Sequence, residues 1–210
     1  MPRKPLSQLD IDNFREAYCD AAYTLYQREG YDAVTMRRTA KVMDCSPMLA
    51  YRYFANKEDV FAALRAALFH RLARTLEDVV AQGSALDYLQ ALGAAYAKFA
   101  HDEPDGYRLL YMIHNHRSDA YPETEDAQKR TRKILIQATR KAVAAGDIAG
   151  DPTLLAHTLW ASIHGLVSLD LAGQLTQGAS FDELFPALLQ GLVKQQPNPA
   201  PDADQSRTDN

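Results

Sequence analysis

The chain has 210 residues, with 23 Lys+Arg against 27 Asp+Glu and a formal charge of -4, which suits one or two small globular domains and excludes a fibre, a coiled-coil rod or a disordered chain. Its 47% apolar and 24% charged residues are the proportions of an ordinary soluble protein, large enough to bury roughly 70% of the surface of the unfolded chain. Overall acidity argues against a nucleic-acid partner, but charge counts where contact occurs, and Arg28 to Lys57 holds six bases against three acids, a local +3 that by itself is only a solvated helical surface.

Apolar residues recur at 3/4 spacing throughout and no period-2 strand stands out, so the fold class is all-α with about nine helices. Ile11, Phe14, Tyr18, Ala21, Ala22 and Leu25 form the inner face of a first helix that exits at Gly30. Thr35 is placed to cap a short second helix. Ser46 caps a third, with Pro47 at its first position, where the missing N–H costs nothing. Only Met43, Asp44 and Cys45 separate these two, so two helices of about eight residues and a three-residue turn predict a helix-turn-helix unit.

From Asn56 an apolar stripe of Val60, Phe61, Leu64, Leu68, Leu72, Leu76, Val79 and Val80 runs to Gly83, a helix of about 39 Å at 1.5 Å per residue. Ser84 and Asp87 form a capping box for a fifth helix with Leu86, Leu89, Leu92, Tyr96 and Phe99 inward. Pro104 opens a sixth with Tyr107, Leu110, Tyr111 and Ile113, followed by a polar loop from Asn115 to Pro122. A seventh, rich in charge, spans about Glu123 to Ala145 and stops at Gly146. Asp151 and Pro152 start an eighth that reaches about Gly173; Leu155, Leu159, Trp160, Ile163, Leu166, Val167 and Leu171 fill one broad side, and Ala161, Gly165, Ser168 and Ala172 form a small-residue stripe on the other. Such a helix must be covered on both sides. Ser180 and Glu183 box the start of a ninth with Phe181, Leu184, Phe185, Leu188 and Leu192 inward, in which Pro186 implies a bend or a later start. From Pro197 the composition is that of a disordered tail.

Cys19 and Cys45 make neither a disulfide framework nor a metal-like spacing, which points to a reducing compartment; Cys45 reads as a small core residue in preference to a redox switch. The first ten residues contain no apolar export segment, and the apolar stretch Leu154 to Leu175 is broken by His157, His164 and Asp170, so the expected location is the cytoplasm, with no membrane partner. Six histidines provide no matched ligand pairs: His157 and His164 read as helix-contact residues and His114-Asn115-His116 as a loop entrance. No phosphate-binding glycine loop or nucleophile elbow is present, so no catalytic residue, metal or cofactor is assigned. The enzyme alternative is a helical bundle with a polar cavity around Tyr107, Tyr111 and His114; another is a ligand-binding or dimerising module that does not act through DNA.

Val34-Thr35-Met36-Arg37-Arg38-Thr39-Ala40, then Ser46 through Phe54, then Asn56-Lys57-Glu58, resembles the N-terminal DNA-binding region of the TetR family of bacterial transcription regulators over about the first sixty residues. Thr39 and Ala50 stand where larger aliphatics are usual, Asp44 where the turn commonly has Gly, and Met48 where a small residue is common. Asp tolerates the left-handed conformation better than most residues, so the turn survives. Trp160 with His164-Gly165 resembles the tryptophan-histidine-glycine signature of one TetR C-terminal subclass.

The second helix of such a unit enters the major groove, so Pro47, Met48, Leu49 and Arg52 would choose sequence, Arg52 by bonding guanine O6 and N7 and the apolar three by packing on thymine methyls. The family pattern lets Arg37 reach a base or phosphate; Thr35, Tyr51, Tyr53 and Lys57 read as phosphate contacts that set register. Phe54 reads as core, and Arg3 and Lys4 as either a minor-groove arm or a disordered start. The resemblance implies a DNA-binding domain at 1–56, a ligand-binding and dimerisation domain at 57–196, and a tail at 197–210. It further implies a repressor released from double-stranded operator DNA by a small-molecule effector, and a homodimer through the eighth and ninth helices. Cavity candidates are Phe99, Tyr107, Tyr111, Trp160 and His164, whose bland reading is ordinary core.

Overall fold

The computed structural model describes residues 7–111, 121–176 and 178–194, the last three of these by backbone alone. Among them are nine α-helices and no strand: α1 Gln8–Glu29, α2 Met36–Val42, α3 Pro47–Ala50, α4 Lys57–Glu77, α5 Ala85–Asp102, α6 Pro104–Tyr111, α7 Pro122–Ala144, α8 Pro152–Leu171 and α9 Phe181–Lys194. The chain divides into two compact units, Met1–Arg74 with Glu103–Thr131 and Thr75–Asp102 with Arg132–Asn210, with boundaries inside α4 and α7. The possible N-terminal arm at Arg3 and Lys4, Ile113, the loop from Asn115, the histidines 114 and 116 and the tail from Pro197 lie outside the described residues.

In the first unit, Ser7 and Asp10 form a reciprocal capping box at the head of α1: Asp10 N–H donates to Ser7 Oγ at 3.2 Å, and Ser7 N–H donates to the Asp10 carboxylate at 3.0 Å. Those bonds hold the Asp10 carboxyl below its ordinary range. The helix buries Tyr18, Cys19, Ala22 and Leu25 and ends at Gly30, whose φ of 82° only glycine adopts freely. Tyr18 is wholly enclosed, and its hydroxyl donates to the Met36 carbonyl at 2.8 Å, which ties α1 to the start of α2. Burial pushes that phenol up to about 12 and the Cys19 thiol to about 12, so both stay neutral. The first turn of α7 is bound to α4 by Thr124 Oγ1, which donates to the Ala62 carbonyl at 2.9 Å. Tyr23 donates to Glu103 at 3.2 Å, and Arg71 pairs with the same carboxylate, so one acid at the head of α6 gathers α1 and α4. Gly106 permits close approach there: a Cβ would stand 2.9 Å from Leu68 Cδ2.

In the second unit, the Ser84–Asp87 box opens α5 as expected, with Asp87 N–H on Ser84 Oγ at 3.1 Å and Ser84 N–H on Asp87 at 2.8 Å. Leu89, Leu92, Tyr96 and Phe99 are buried. Asp151 caps α8 through Leu154 N–H at 2.7 Å, and Ser180 caps α9 through Glu183 N–H at 3.3 Å. Gly93 lets α9 come close: a Cβ there would stand 1.9 Å from Phe185 Cζ. His101 Nε2 and Asp170 Oδ2, 2.6 Å apart, join α5 to α8, and the Phe181 ring meets the imidazole edge-on.

Helices α4 and α3 depart from the sequence expectation, and α9 narrows it. Helix α4 stops at Glu77, so its 21 residues span about 31 Å at 1.5 Å per residue, and Val80 is exposed. The apolar stripe outlasts its packing partners, and two adjacent β-branched residues extend a helix poorly without them. Helix α9 begins at Phe181 and carries Pro186 inside it, so of the two outcomes expected there, a bend or a later start, the later start does not occur. Helix α3 has four residues where about eight were expected, for a reason that lies at the site.

Candidate nucleic-acid interface

Helix α2 starts where Thr35 Oγ1 accepts from Arg38 N–H at 3.2 Å. It closes in a Schellman arrangement: Cys45 N–H donates to the Ala40 carbonyl at 2.9 Å and Asp44 N–H to the Lys41 carbonyl at 3.2 Å. This geometry needs a left-handed residue at Asp44, and Asp44 stands at φ 51°, the one non-glycine with positive φ among the described residues. Ser46 Oγ then accepts from Leu49 N–H at 3.2 Å, and α3 leaves at a new angle. Thr39, Ala40 and Ala50 are all buried, so the small side chains at Thr39 and Ala50 pack at the contact of α2 and α3, where bulk is usual.

After Ala50 the chain tightens. Arg52 N–H donates to the Leu49 carbonyl and Tyr53 N–H to the Ala50 carbonyl, each at 3.0 Å, three residues back instead of four. Arg15 Nη1 donates to the Tyr53 carbonyl at 2.5 Å while its guanidinium lies 4.4 Å from the Phe54 ring centroid, and the Tyr53 ring stacks on Phe14 at 4.2 Å. These contacts with α1 draw the C-terminal half of the expected reading helix into turns. They involve residues 38 positions apart, and no local signal marks Arg15 for this role.

The arrangement leaves Thr35, Arg37, Pro47, Met48, Tyr51 and Arg52 exposed, Met48 by 76% and Tyr51 by 55%. Met48 and Tyr51 are large groups that the described residues leave more than half exposed. Leu49, Tyr53 and Lys57 are half-buried. Among the described residues Arg37 and Arg52 have no ion-pair partner, whereas Arg38 grips the Glu29 carboxylate with bonds of 2.7 and 2.8 Å. The adjacent arginines therefore differ: one is neutralised on α1 and the other is available to an outside anion. Lys57 is held as well. Its ammonium donates to the Tyr31 carbonyl at 2.6 Å and sits 3.6 Å from the Tyr31 ring centroid, and partial burial lowers its pKa. One of its three donors is used, and the remaining two can still meet a phosphate. Burial of Cys45, with Asp44 beside it, raises the thiol, so it is not an activated nucleophile.

The five ring residues expected at a cavity fall into two sets. Tyr107 and Tyr111 belong to the first unit, where Tyr107 is wholly buried, its ring 5.1 Å from Tyr111, and Tyr111 meets Phe69 edge-on at 5.7 Å. Phe99, Trp160 and His164 belong to the second, where Phe99 is buried and Trp160 stacks on His164 at 5.9 Å. Tyr96, read from sequence as core only, stands with its hydroxyl 3.4 Å from His164 Nδ1. Burial lowers the His164 pKa, favouring a neutral ring. His157 is exposed, its Nδ1 2.8 Å from the Thr153 carbonyl, and among the described residues no three His, Cys, Asp or Glu side chains gather as a metal site.

Helix α8 is the one described helix with the length and mean hydropathy, 1.2, of a membrane span, and most of its residues are half-buried or exposed. Leu154, Trp160 and Leu169 are exposed, and a Cβ at Gly165 would meet nothing within 4 Å.

Two family models match the chain: that of bacterial regulatory proteins of the tetR family over residues 19–64, and that of the tetracyclin repressor-like C-terminal domain over residues 89–192. The uncharacterized HTH-type transcriptional regulator Rv0681 of Mycobacterium tuberculosis is 24% identical over 183 residues, covering 86% of this chain and 82% of the relative. A solved protein of unknown function from Rhodococcus sp. RHA1 superposes with a TM-score of 0.75 at 26% identity, covering 92% of this chain and 97% of its own. A bacterial regulatory protein in the tetR family from Rhodococcus RHA1 shares the fold with a TM-score of 0.64 at 19% identity, covering 86% and 95%.

Proposed function

The chain belongs to the TetR family of bacterial transcriptional regulators, and from that premise we propose that it is a homodimeric repressor that leaves its operator when a small-molecule effector binds. The observation that carries the DNA half of this reading is the pair of capped helices joined through Asp44, which leaves Pro47, Met48 and Arg52 exposed beside Tyr51 and Arg37. In the major groove Arg52 reads guanine, Pro47, Met48 and Leu49 meet thymine methyls, Arg37 reaches a base or a phosphate, and Thr35, Tyr51, Tyr53 and Lys57 grip the backbone. We assign DNA binding to residues 1–56 and effector binding and dimerisation to 57–196, and place the protein in the cytoplasm with the DNA it reads.

The uncovered face of α8 supports a second copy as its occupant, with α9 beside it: open space at Gly165, with Leu169 exposed one turn on, leaves room for a facing helix. Phe99, Trp160 and His164, joined by Tyr96, offer an effector apolar rings with a neutral imidazole; Tyr107 and Tyr111 are a separate candidate set. This reading gives the chain no catalytic role and no resident metal or cofactor.

Selection of bound fragments from random duplex DNA, repeated with a metabolite panel, tests it. A palindromic consensus is expected, together with a metabolite that releases it. Recovery of no consensus, with salt-dependent retention of all sequences alike, would leave a nonspecific binder and refute the regulator reading.

A further inference from the structure

Tyr53 ends the reading stretch with a carbonyl that no backbone N–H among the described residues takes up. Had α3 continued, that oxygen would accept from the amide four residues on, at Lys57. Lys57 instead opens α4, whose start is fixed by Asn56, its Oδ1 accepting from Asp59 N–H at 2.9 Å. The orphaned acceptor is met by a side chain from α1: Arg15 Nη1 donates to it at 2.5 Å.

That bond belongs to a wider seat. The Arg15 guanidinium lies 4.4 Å from the Phe54 ring centroid, Tyr53 stacks on Phe14 at 4.2 Å, and the Phe54 ring meets the Tyr18 ring at 5.3 Å. Phe14, Arg15 and Tyr18 share one face of α1 at 3/4 spacing, and the Tyr18 hydroxyl also donates to the Met36 carbonyl in the first turn of α2. One helix face therefore holds the head of α2 and the tail of α3. Arg15 is half-buried and, among the described residues, has no carboxylate partner, so the group its guanidinium serves is the Tyr53 carbonyl.

Arg52 is exposed and joined directly to Tyr53, and its own N–H is bonded three residues back, to the Leu49 carbonyl. Each step of an α-helix turns about 100° and each step of a 3₁₀ turn about 120°, so rewinding two residues re-aims a side chain by about 40°. We propose that Arg15 is a positioning residue for operator recognition, which aims Arg52 by closing the reading helix on the Tyr53 carbonyl and does not itself touch DNA. The proposal rests on the reading of the chain as an operator-binding regulator, and it places a determinant of specificity on α1, outside the two helices that face DNA.

Titrations of the full chain on the selected operator and on a scrambled duplex, across several salt concentrations, test this role. Arg15→Met keeps the stem beside Phe54 and loses the donor and the charge. It is expected to lower the preference for operator about tenfold, with the affinity for scrambled duplex and the salt slope unchanged. Arg15→Lys, which still offers a cationic donor, should stay within about threefold of the parent. In an Arg52→Ala background, Arg15→Met should change the remaining preference by less than about threefold, because its effect runs through Arg52. A lower unfolding temperature with parent-like preference in folded Arg15→Met would overturn the proposal and leave a structural residue, and an undiminished effect in the Arg52→Ala background would overturn it equally. Equal losses on both duplexes with a shallower salt slope would overturn it by making Arg15 a phosphate contact. A parent protein that prefers no sequence would refute the regulator reading itself, and the role of Arg15 with it. If Arg15→Met does not fold, Arg15→Gln is judged by the same ratio.

Discussion

The ammonium of Lys57 is bound to the Tyr31 carbonyl at 2.6 Å and capped by the Tyr31 ring at 3.6 Å, so the head of α4 is fastened to the turn that follows α1. A residue whose sequence position suggests a phosphate grip is thus also a brace for the unit that carries it. Lys57→Ala should therefore act twice: DNA of every sequence is held less tightly, with the salt slope reduced by about 1 per half-site, and unfolding stability falls by about 1 kcal/mol from the lost cation–π contact and hydrogen bond. Lys57→Met, which keeps the apolar stem over the ring, should recover part of the stability and none of the salt slope. Binding titrations across several salt concentrations, with denaturant unfolding of the same variants, measure both. An unchanged salt slope in Lys57→Ala would leave the brace as its whole role.

Arg52, exposed on the tight turns after α3, is expected to read and not merely hold. Arg52→Ala should cost about 1–3 kcal/mol per half-site on the preferred operator and relax one base position there, with a smaller loss on scrambled duplex. Equal losses on both duplexes would make it a backbone contact and leave Pro47, Met48, Leu49 and Arg37 to carry specificity.

Asp44 holds a left-handed conformation at φ 51°, and it does so in the turn between the two DNA-facing helices. Asp44→Gly should stabilise the protein by about 0.5–1 kcal/mol, because glycine meets no Cβ penalty there, while Asp44→Val should destabilise it by more than this. Thermal unfolding of the pair decides the matter. A Val variant as stable as the parent would show that the turn can relax without cost.

Gly165 faces open space in the protomer, where a Cβ would meet no described atom within 4 Å. Gly165→Arg is expected to leave a folded monomer with much weaker operator binding, as read by sedimentation and gel shift. A variant that remains fully dimeric at low micromolar concentration would place the interface elsewhere.

Burial lowers the pKa of His164 from 6.5, with Tyr96 and Trp160 as its ring neighbours. The unfolded chain then takes up a proton that the folded chain refuses, so the contribution of the neutral ring is complete above about pH 6.5 and is lost as pH falls below it. His164→Gln should unfold with a shallower loss of stability than the parent on going from about pH 7.5 to about pH 5. Identical pH profiles would show that the ring is protonated in the folded protein as easily as in water.

What the amino-acid sequence determined by itself is whatever depends on neighbours a few positions away. The caps at Thr35, Ser46, Ser84, Asp151 and Ser180, the stop at Gly30 and the left-handed Asp44 are interactions within three or four residues, and all stand where the sequence puts them. The all-α class follows from the same short-range periodicity, and the exposure of Met48 and Arg52 from their place on the helix that Ser46 and Pro47 start, where Leu49, placed the same way, is half-buried. Tertiary structure decided what depends on partners far along the chain. Arg15 converts the second half of the reading helix into turns, Tyr31 occupies one donor of Lys57, Glu29 removes Arg38 from the available cations, and the end of its packing stops α4 at Glu77. Most telling is Arg65, which by sequence is one more charged residue in a long amphipathic helix. The tertiary structure leaves it 5% exposed, because burial is a property of what surrounds a side chain and not of the residue that bears it.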